Sequence, residues 1–302
     1  MAAKRRSRRK KKIIKRVICS LIILIVTIVG IFVGKYALDE SKKPDPVSGG
    51  EVEFHFIDVG QADAALIRTE HGDILIDAGC GASKEELKAY LDSQGVDDLE
   101  YAVFTHPHED HIGGAEMVME TYDVKRVVIP DYDHDTKLYA NVLEAIDQSG
   151  AETIYAEPGN EFKVGELSCT ILSPISDAGD NPNDASVTIR AEYGETSVLF
   201  TGDAEVKSEK EMIQKFGLTG ELDCDLIKVG HHGSTTSSSE AFLKAVTPDV
   251  AIISCGEGNK HGHPHAEIVA RYEAMGIDII RTDYEGSIVF TSTGGEPERE
   301  AA

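Results

Sequence analysis

Basic residues are scarce over most of this chain, and where they are dense, acids are missing. The 302 residues include 30 Lys/Arg against 53 Asp/Glu, a formal net charge of −23. Residues 1–16 hold ten of those bases and no acid, so the remainder carries 20 bases against 53 acids, or −33. After residue 50 no basic stripe with interleaved aromatics occurs, and aromatics are 6% of the chain. A body in which acids so outnumber the phosphate-neutralising Lys/Arg repels a long polyanion. Cysteine is sparse as well: the five residues Cys19, Cys80, Cys169, Cys224 and Cys255 form no CxxC pair and no framework spacing. Cys169, Cys224 and Cys255 lie in or beside apolar runs and are expected as buried free thiols, and Cys80 is not expected to ligate a metal. No Gly-x-Ser-x-Gly elbow surrounds the Ser234–Ser239 run, which therefore reads as a polar loop capping the next helix and not as a nucleophile. No internal repeat is present.

What is there is a globular composition, 41% hydrophobic and 27% charged. Val17–Val33 is a charge-free apolar run of 17 residues, near the short limit for a bilayer span and extended by Gly34 and a snorkelling Lys35. The predicted organisation is a basic cytoplasmic tail at 1–16, a transmembrane anchor at 17–38 and a Pro/Gly/Ser-rich linker at 39–50. A globular domain over 51–292 and a polar, frayed tail at 293–302 follow. Positive charge stays inside, which places the domain outside the cell membrane in a single-pass arrangement. A cleaved signal peptide is the rival reading, opposed by the long apolar core and the lack of a small-x-small site. From Glu51 onward, hairpin-like strands come first and mixed strands and helices follow, an order suited to two face-to-face sheets with helices outside.

Eight of the eleven histidines fall in three groups, His106/His108/His111, His231/His232 and His261/His263/His265, each after an apolar strand-like run. Strand ends in one sheet can deliver separated segments to one site. In Thr105–His111, His106 and His108 are two apart and can point the same way, while Asp110 and His111 can face a second centre. Imidazole and carboxylate together suit a divalent ion. Other readings stay open for the acids and the last group. Asp58, Asp63 and Asp77 could be turn caps, Asp203 a helix N-cap, and His263 and His265 loop residues. His55, His71 and His134 have no companions and read as structural or exposed.

The His106–His111 string, with Leu75–Gly79, Phe200–Asp203 and Lys228–Ser234 following in order, resembles the metallo-β-lactamase superfamily. Phe56–Ala64, Thr201–Glu205, His231–Ser234, Gly262–His265 and Thr282–Ser287 are similar to the hydrolase domain of ComEC-type competence proteins. Ala62 stands where that branch usually has Gly, and its polytopic channel is absent here. The resemblance implies an α/β fold, an αββα four-layer sandwich, here preceded by one transmembrane helix. It implies two divalent metal ions, zinc in the first place and manganese in the second. His106 and His108 would bind metal one, Asp110 and His111 metal two, and Asp203 would bridge. One of His231 and His232 would complete metal two, with His231, first after the strand, preferred. Asp58, Asp63 and Asp77 would support the ligands from behind. No histidine occurs between His134 and His231, where the wider superfamily has a further metal-one ligand. Asn183 or Asp184 could supply oxygen there, which shifts preference toward harder ions such as manganese.

Such a pair of ions lowers the pKa of a shared water and aims the resulting hydroxide. Asp110 would orient it and His263 would protonate the leaving group. The expected activity is an extracellular metal-dependent phosphodiesterase or nuclease, acting on nucleic acid or on a small phosphoester beside a DNA-uptake machinery. The alternatives are a hydrolase of a small ester, thioester, lactam or choline-phosphate substrate, and a non-catalytic metal-binding module.

Overall fold

The computed structural model describes Val47 and residues 49–300. The predicted basic tail at 1–16, the anchor at 17–38 and most of the linker lie outside the described residues. No helix among the described residues is long and apolar enough to cross a membrane.

Short runs of mainly apolar residues build two sheets. The first, in spatial order, is β15 (Glu298–Arg299), β14 (Ile288–Ser292), β1 (Val52–Phe56), β2 (Ala65–Thr69), β3 (Gly72–Ile76), β4 (Asp98–Val103), β5 (Asp123–Ile129) and β6 (Glu152–Tyr155). The second is β13 (Asp278–Arg281), β12 (Val250–Ile253), β11 (Leu226–Lys228), β10 (Thr196–Phe200), β9 (Thr188–Tyr193), β8 (Leu167–Ser173) and β7 (Glu161–Val164). Each sheet is part antiparallel meander and part parallel: β3 to β6 run parallel in the first, and β10 to β13 in the second. Parallel neighbours end together, so each sheet presents a row of strand C-termini at one edge.

The inward faces share one core. Phe54, Phe56, Ile67, Ile74, Ile76 and Val103 meet Ile171, Ile189, Val198, Phe200, Leu226 and Ile252. Phe56 stacks on Phe200 at 5.6 Å between ring centroids. On the outer face of the first sheet, Leu66, Leu75, Ala102 and Val127 pack under helices Lys84–Ser93, Ala115–Thr121 and Lys137–Ser149. On the outer face of the second, Leu199, Ile227, Ala251 and Ile253 pack under Val206–Phe216, Glu240–Val246 and Ala266–Ala274. Burial on both faces explains why these strands read as nearly continuous apolar runs. The architecture is an αββα sandwich with three separate apolar layers. Cys169, Cys224 and Cys255 are free and buried in it, as expected.

Three strands escaped the sequence reading. β6 and β7 lie at the sheet edges and are mostly exposed or half-buried, which removes the apolar alternation that marks a strand. The segment 293–302, expected to fray, instead pairs Glu298 and Arg299 with Thr291 and Phe290. The carbonyls of Gly294 and Gly295 also accept from the Glu195 amide and the Thr196 hydroxyl. Ser239 caps the helix Glu240–Val246, its side chain accepting from the Phe242 amide at 3.3 Å, so the serine run serves the polar-loop role.

Candidate metal centre

The site is assembled from the C-terminal ends of β3, β4, β10, β11 and β12. Asp77 follows the last residue of β3, and its φ of 59° is left-handed. Its Oδ1 accepts from the Thr105 amide at 2.8 Å and its Oδ2 from the Thr105 hydroxyl at 2.7 Å. The same Oδ2 lies 2.7 Å from Nδ1 of His111. A carboxylate there requires the proton on Nδ1, which leaves Nε2 of His111 with its lone pair directed into the site. His108 precedes the short helix Glu109–Ile112, which carries Asp110 and His111. Gly113 and Gly114 follow with ordinary right-handed backbone. Glycine is needed there because a Cβ on either would strike the Ala78–Gly81 backbone, so the pair lets the two loops close together.

Asp203 follows β10 after Thr201 and Gly202, and its two oxygens face two separate groups. Oδ1 lies 3.2 Å from Nε2 of His111 and 3.8 Å from Nε2 of His232. Nε2 of His232 is also 3.4 Å from Oδ2 of Asp110. Oδ2 of Asp203 lies 3.9 Å from Nε2 of His106 and 3.6 Å from Nε2 of His231. Nε2 of His106 is 3.1 Å from Nδ1 of His108. Asp203 Oδ1, His111 Nε2 and His232 Nε2 are all buried without a hydrogen-bond partner. Three orphaned donors converging on one point, each a carboxylate oxygen or an imidazole nitrogen, fit a divalent cation. His106, His108 and Asp203 form the second convergent set.

Charge balance points the same way. Burial raises the pKa of Asp203, but His111 and His232 outweigh it and hold the carboxyl well below its ordinary range. Burial alone would lower His111, yet Asp203 and Asp77 push it well above its usual value. His232 is likewise raised to about 10 against burial, by Asp63 and Asp203. Burial and the neighbouring His111 push His106 well below the ordinary range. Asp110 is held low despite burial by its contact with His232 and the charge of His111. The carboxylates thus stay anionic and draw positive charge to the point where the imidazole nitrogens converge, either a second proton on His111 and His232 or a divalent cation that displaces it and uses the Nε2 lone pairs.

Asp63 lies within 4.8 Å of the His111, Asp203 and His232 donors. Its oxygens, however, approach Nδ1 of His232 at 3.4 Å and Nδ1 of His111 at 3.7 Å, the ring faces turned away from Asp203. Its other contact is buried Lys228, whose ammonium donates to Oδ2. Burial would raise Asp63, but Lys228 and His232 hold it at about 2. Asp63 and Lys228 therefore form a charged prop beneath the histidines. Asp77 is a second prop, set by the bonds above.

Four expectations need correction. Asp58 is exposed and accepts from the Gly60 amide at 3.1 Å, so it shapes a turn and does not touch the histidines. Asp184 accepts from the Ser208 hydroxyl on Oδ1 at 3.2 Å and from the Asn181 amide on Oδ2 at 3.1 Å, and its carboxylate joins neither convergent set of donors. Between the paired histidines the preference reverses. His232 is buried beside Asp110, with Nδ1 donating to the Ser254 carbonyl at 3.0 Å, while His231 lies on the His106 side of Asp203. Both adopt left-handed φ, 51° and 53°, and this splays adjacent rings to opposite oxygens of one carboxylate. Finally, burial and the charge of His232 and His231 lower His263 to about 4, so at neutral pH it lacks the imidazolium proton that an acid role needs. Oε1 of Gln61 accepts from the Gly256 amide at 3.1 Å, which turns its Nε2 toward Nδ1 of His263 at 3.4 Å. The His263 proton therefore sits on Nε2.

Lys228, Glu205 and His134 also lie against the site residues, a placement that the sequence motifs do not mark. Lys228 was visible as a lone charge in the apolar run Leu226–Val229. Glu205, already inside the Thr201–Glu205 motif, lies 3.3 Å from Nδ1 of His231. His134 has a companion after all: its ring is edge-on to His108 at 6.3 Å.

With this geometry in place, comparison with known proteins gives a consistent answer. A family model for the metallo-beta-lactamase superfamily matches residues 57–257. ComE operon protein 3 of Bacillus subtilis is 31% identical over 263 residues, 81% of this chain and 34% of the relative. Competence protein ComA of Neisseria gonorrhoeae is 31% identical over 253 residues, 83% of this chain and 34% of the relative. The chain thus spans about a third of the length of these relatives. Among solved structures, the metallo-beta-lactamase fold protein YhfI from Bacillus subtilis superposes with a TM-score of 0.55 at 13% identity, covering 80% of this chain and 100% of YhfI.

Proposed function

The chain belongs to the metallo-beta-lactamase superfamily and is a hydrolase related to competence proteins; from that premise we propose that it cleaves phosphodiester bonds outside the cell membrane, held there by the apolar segment at 17–38. The observation that carries this reading is the division of Asp203, with one oxygen toward His111 and His232 and the other toward His106 and His231. Two cation sites sharing one carboxylate would supply an activated water and neutralise both the attacking and leaving oxygens of an in-line displacement. This chain's own residues do the rest. His106 and His108 hold one side, and Asp110, His111 and His232 the other. Asp77, Asp63 and Lys228 keep the imidazoles in the required tautomer and orientation. Nε2–H of His263, neutral at neutral pH, donates a hydrogen bond to a non-bridging phosphoryl oxygen and so fixes the substrate.

A cleft of about 540 Å³ lined by Asp58, Gln61, Glu86, Gly256 and Glu257 adjoins His263 through Gln61. Its acidic wall favours a small phosphoester with a neutral or cationic substituent over a long nucleic acid. The relation to competence proteins nevertheless makes single-stranded DNA the first polymer to assay, and a DNA-uptake machinery the first partner to seek.

The test is metal analysis of the protein together with turnover of bis(p-nitrophenyl) phosphate and single-stranded DNA. Two bound ions, with cleavage abolished in Asp203→Ala, are expected. Stoichiometric metal with no turnover of any ester would identify a binding module instead.

A further inference from the structure

The family's pattern leaves one ligand unaccounted for, because no histidine occurs between His134 and His231. The structure fills that place from an unexpected direction. Nε2 of His231 approaches the same Asp203 oxygen as Nε2 of His106, at 3.6 Å and 3.9 Å, whereas His111 and His232 approach the other oxygen. The far nitrogen of His231 is engaged: Nδ1 lies 2.9 Å from the Thr236 hydroxyl and 3.3 Å from Oε1 of Glu205. The Asn183 amide nitrogen also lies 3.5 Å from Nδ1, but the closer hydroxyl and the carboxylate outweigh it, hold the proton on Nδ1 and free the Nε2 lone pair, the arrangement that metal-binding histidines use.

Asn183 joins the same construction. Its Nδ2 donates to Oε1 of Glu205 at 3.1 Å, and reversing the amide would set oxygen against carboxylate, so the orientation is fixed. Its Oδ1 is consequently left with no hydrogen-bond partner, in a side chain only 6% exposed. An unpaired buried carbonyl costs about 1–3 kcal/mol unless something takes it up. Asn181 completes the brace by donating to Oε2 of Glu205 at 3.0 Å.

We propose that His231 Nε2 and Asn183 Oδ1, both oriented by Glu205, complete the His106/His108 metal site in place of the missing histidine. The proposal rests on the two-cation reading of the site and deepens it. The adjacent histidines then serve different ions, His231 the first and His232 the second. The first site is a mixed set of three imidazoles with two oxygens, harder than a three-histidine site and so shifted toward Mn²⁺ relative to Zn²⁺. Glu205 is a positioning residue.

The test is Mn²⁺ titration of the full-length protein in detergent, by equilibrium dialysis and electron paramagnetic resonance. Wild type is expected to bind two ions with a spin-coupled spectrum. His231→Ala should bind one with the six-line spectrum of an isolated ion, its first-site affinity falling about 100-fold, and Glu205→Gln should weaken that site about tenfold. His231→Asn tolerates the left-handed backbone and guards against a folding defect in the alanine variant. Site assignment comes from pairs. Adding His106→Ala to His231→Ala should remove nothing further, whereas adding His111→Ala should remove the remaining ion. Two ions at wild-type affinity in both His231 variants would overturn the proposal and leave the two-metal hydrolase standing. So would loss of both ions in His231→Ala/His106→Ala. A wild type that binds no Mn²⁺ or Zn²⁺ would instead sink the functional reading itself.

Discussion

Asp77 joins strand, loop and ligand through one carboxylate, and its left-handed backbone limits what can replace it. Asn accepts that φ but offers one oxygen where Asp offers two, and it cannot counter the charge on the His111 ring. Asp77→Asn is therefore expected to fold and to bind the His111/His232 ion 10- to 100-fold more weakly, read by competition with a chelator of known affinity. Unchanged affinity would mean that the carboxylate only closes the loop. Asp73, far from the histidines, is a different case. It pairs across the sheet with Arg68, but burial raises it to about 6 from an ordinary 3.8, since the guanidinium is 3.9 Å away and Asp98 adds repulsion. The folded state thus binds this proton more tightly than the unfolded chain. The resulting stabilisation is complete below about 3.8 and is lost as pH rises through about 6. Asp73→Asn should consequently be more stable than wild type at pH near 7.5 by about 1–2 kcal/mol in urea denaturation, with the gain vanishing near pH 4. An equal gain at both pH values would rule out titration as the cause.

At the scale of elements, the short helix carrying Asp110 and His111 is held in place by glycine. Gly113 and Gly114 suggest a tight turn on paper, yet both have right-handed φ, and the constraint is the backbone of Ala78–Gly81 lying against them. A methyl group on Gly114 would push that loop away and carry Asp77 with it. Gly114→Ala is expected to cost about 1–3 kcal/mol, an overpacking penalty, and to weaken metal binding in the same protein. Thermal melting with and without added Zn²⁺ measures both, and a normal melt with normal binding would show that the loops can separate freely. The edge elements taught the opposite lesson. β6, β7 and β15 are recognisable only by their partners, because these edge strands leave most of their residues exposed or half-buried and so bury no regular apolar face.

For the whole molecule, charge is the dominant feature. A net −33 beyond residue 16 opposes approach of any polyanion, while a small monoanionic ester is hardly affected. Raising ionic strength from about 20 to 200 mM shortens the Debye length from roughly 20 to 7 Å. Over that range kcat/KM for single-stranded DNA should rise several-fold while that for bis(p-nitrophenyl) phosphate stays nearly flat. A fall for DNA would reveal a basic track and reverse the substrate preference. The sandwich also makes the site possible: two parallel half-sheets place five strand ends along one edge, so ligands from residues 106 to 232 need only short loops to meet.

The amino-acid sequence by itself determined the two-sheet sandwich, the membership of His106, His108, Asp110, His111 and Asp203 in one cluster, and the props Asp63 and Asp77. The sandwich and the histidine groups follow from local patterns, apolar runs on strands with histidines directly after them, whereas the places of Asp203, Asp63 and Asp77 are what the family resemblance implies. Only the tertiary structure decided how the cluster is divided. Whether His231 or His232 faces Asp110 depends on two successive left-handed residues, and spacing carries no trace of them. Whether Asn183 or Asp184 is free depends on Ser208 and Glu205, more than twenty residues away. The neutral state of His263 depends on imidazoles brought from a different strand end. Which atoms converge where a cation could bind is a property of packing between distant segments, and a linear pattern records only that such atoms are present.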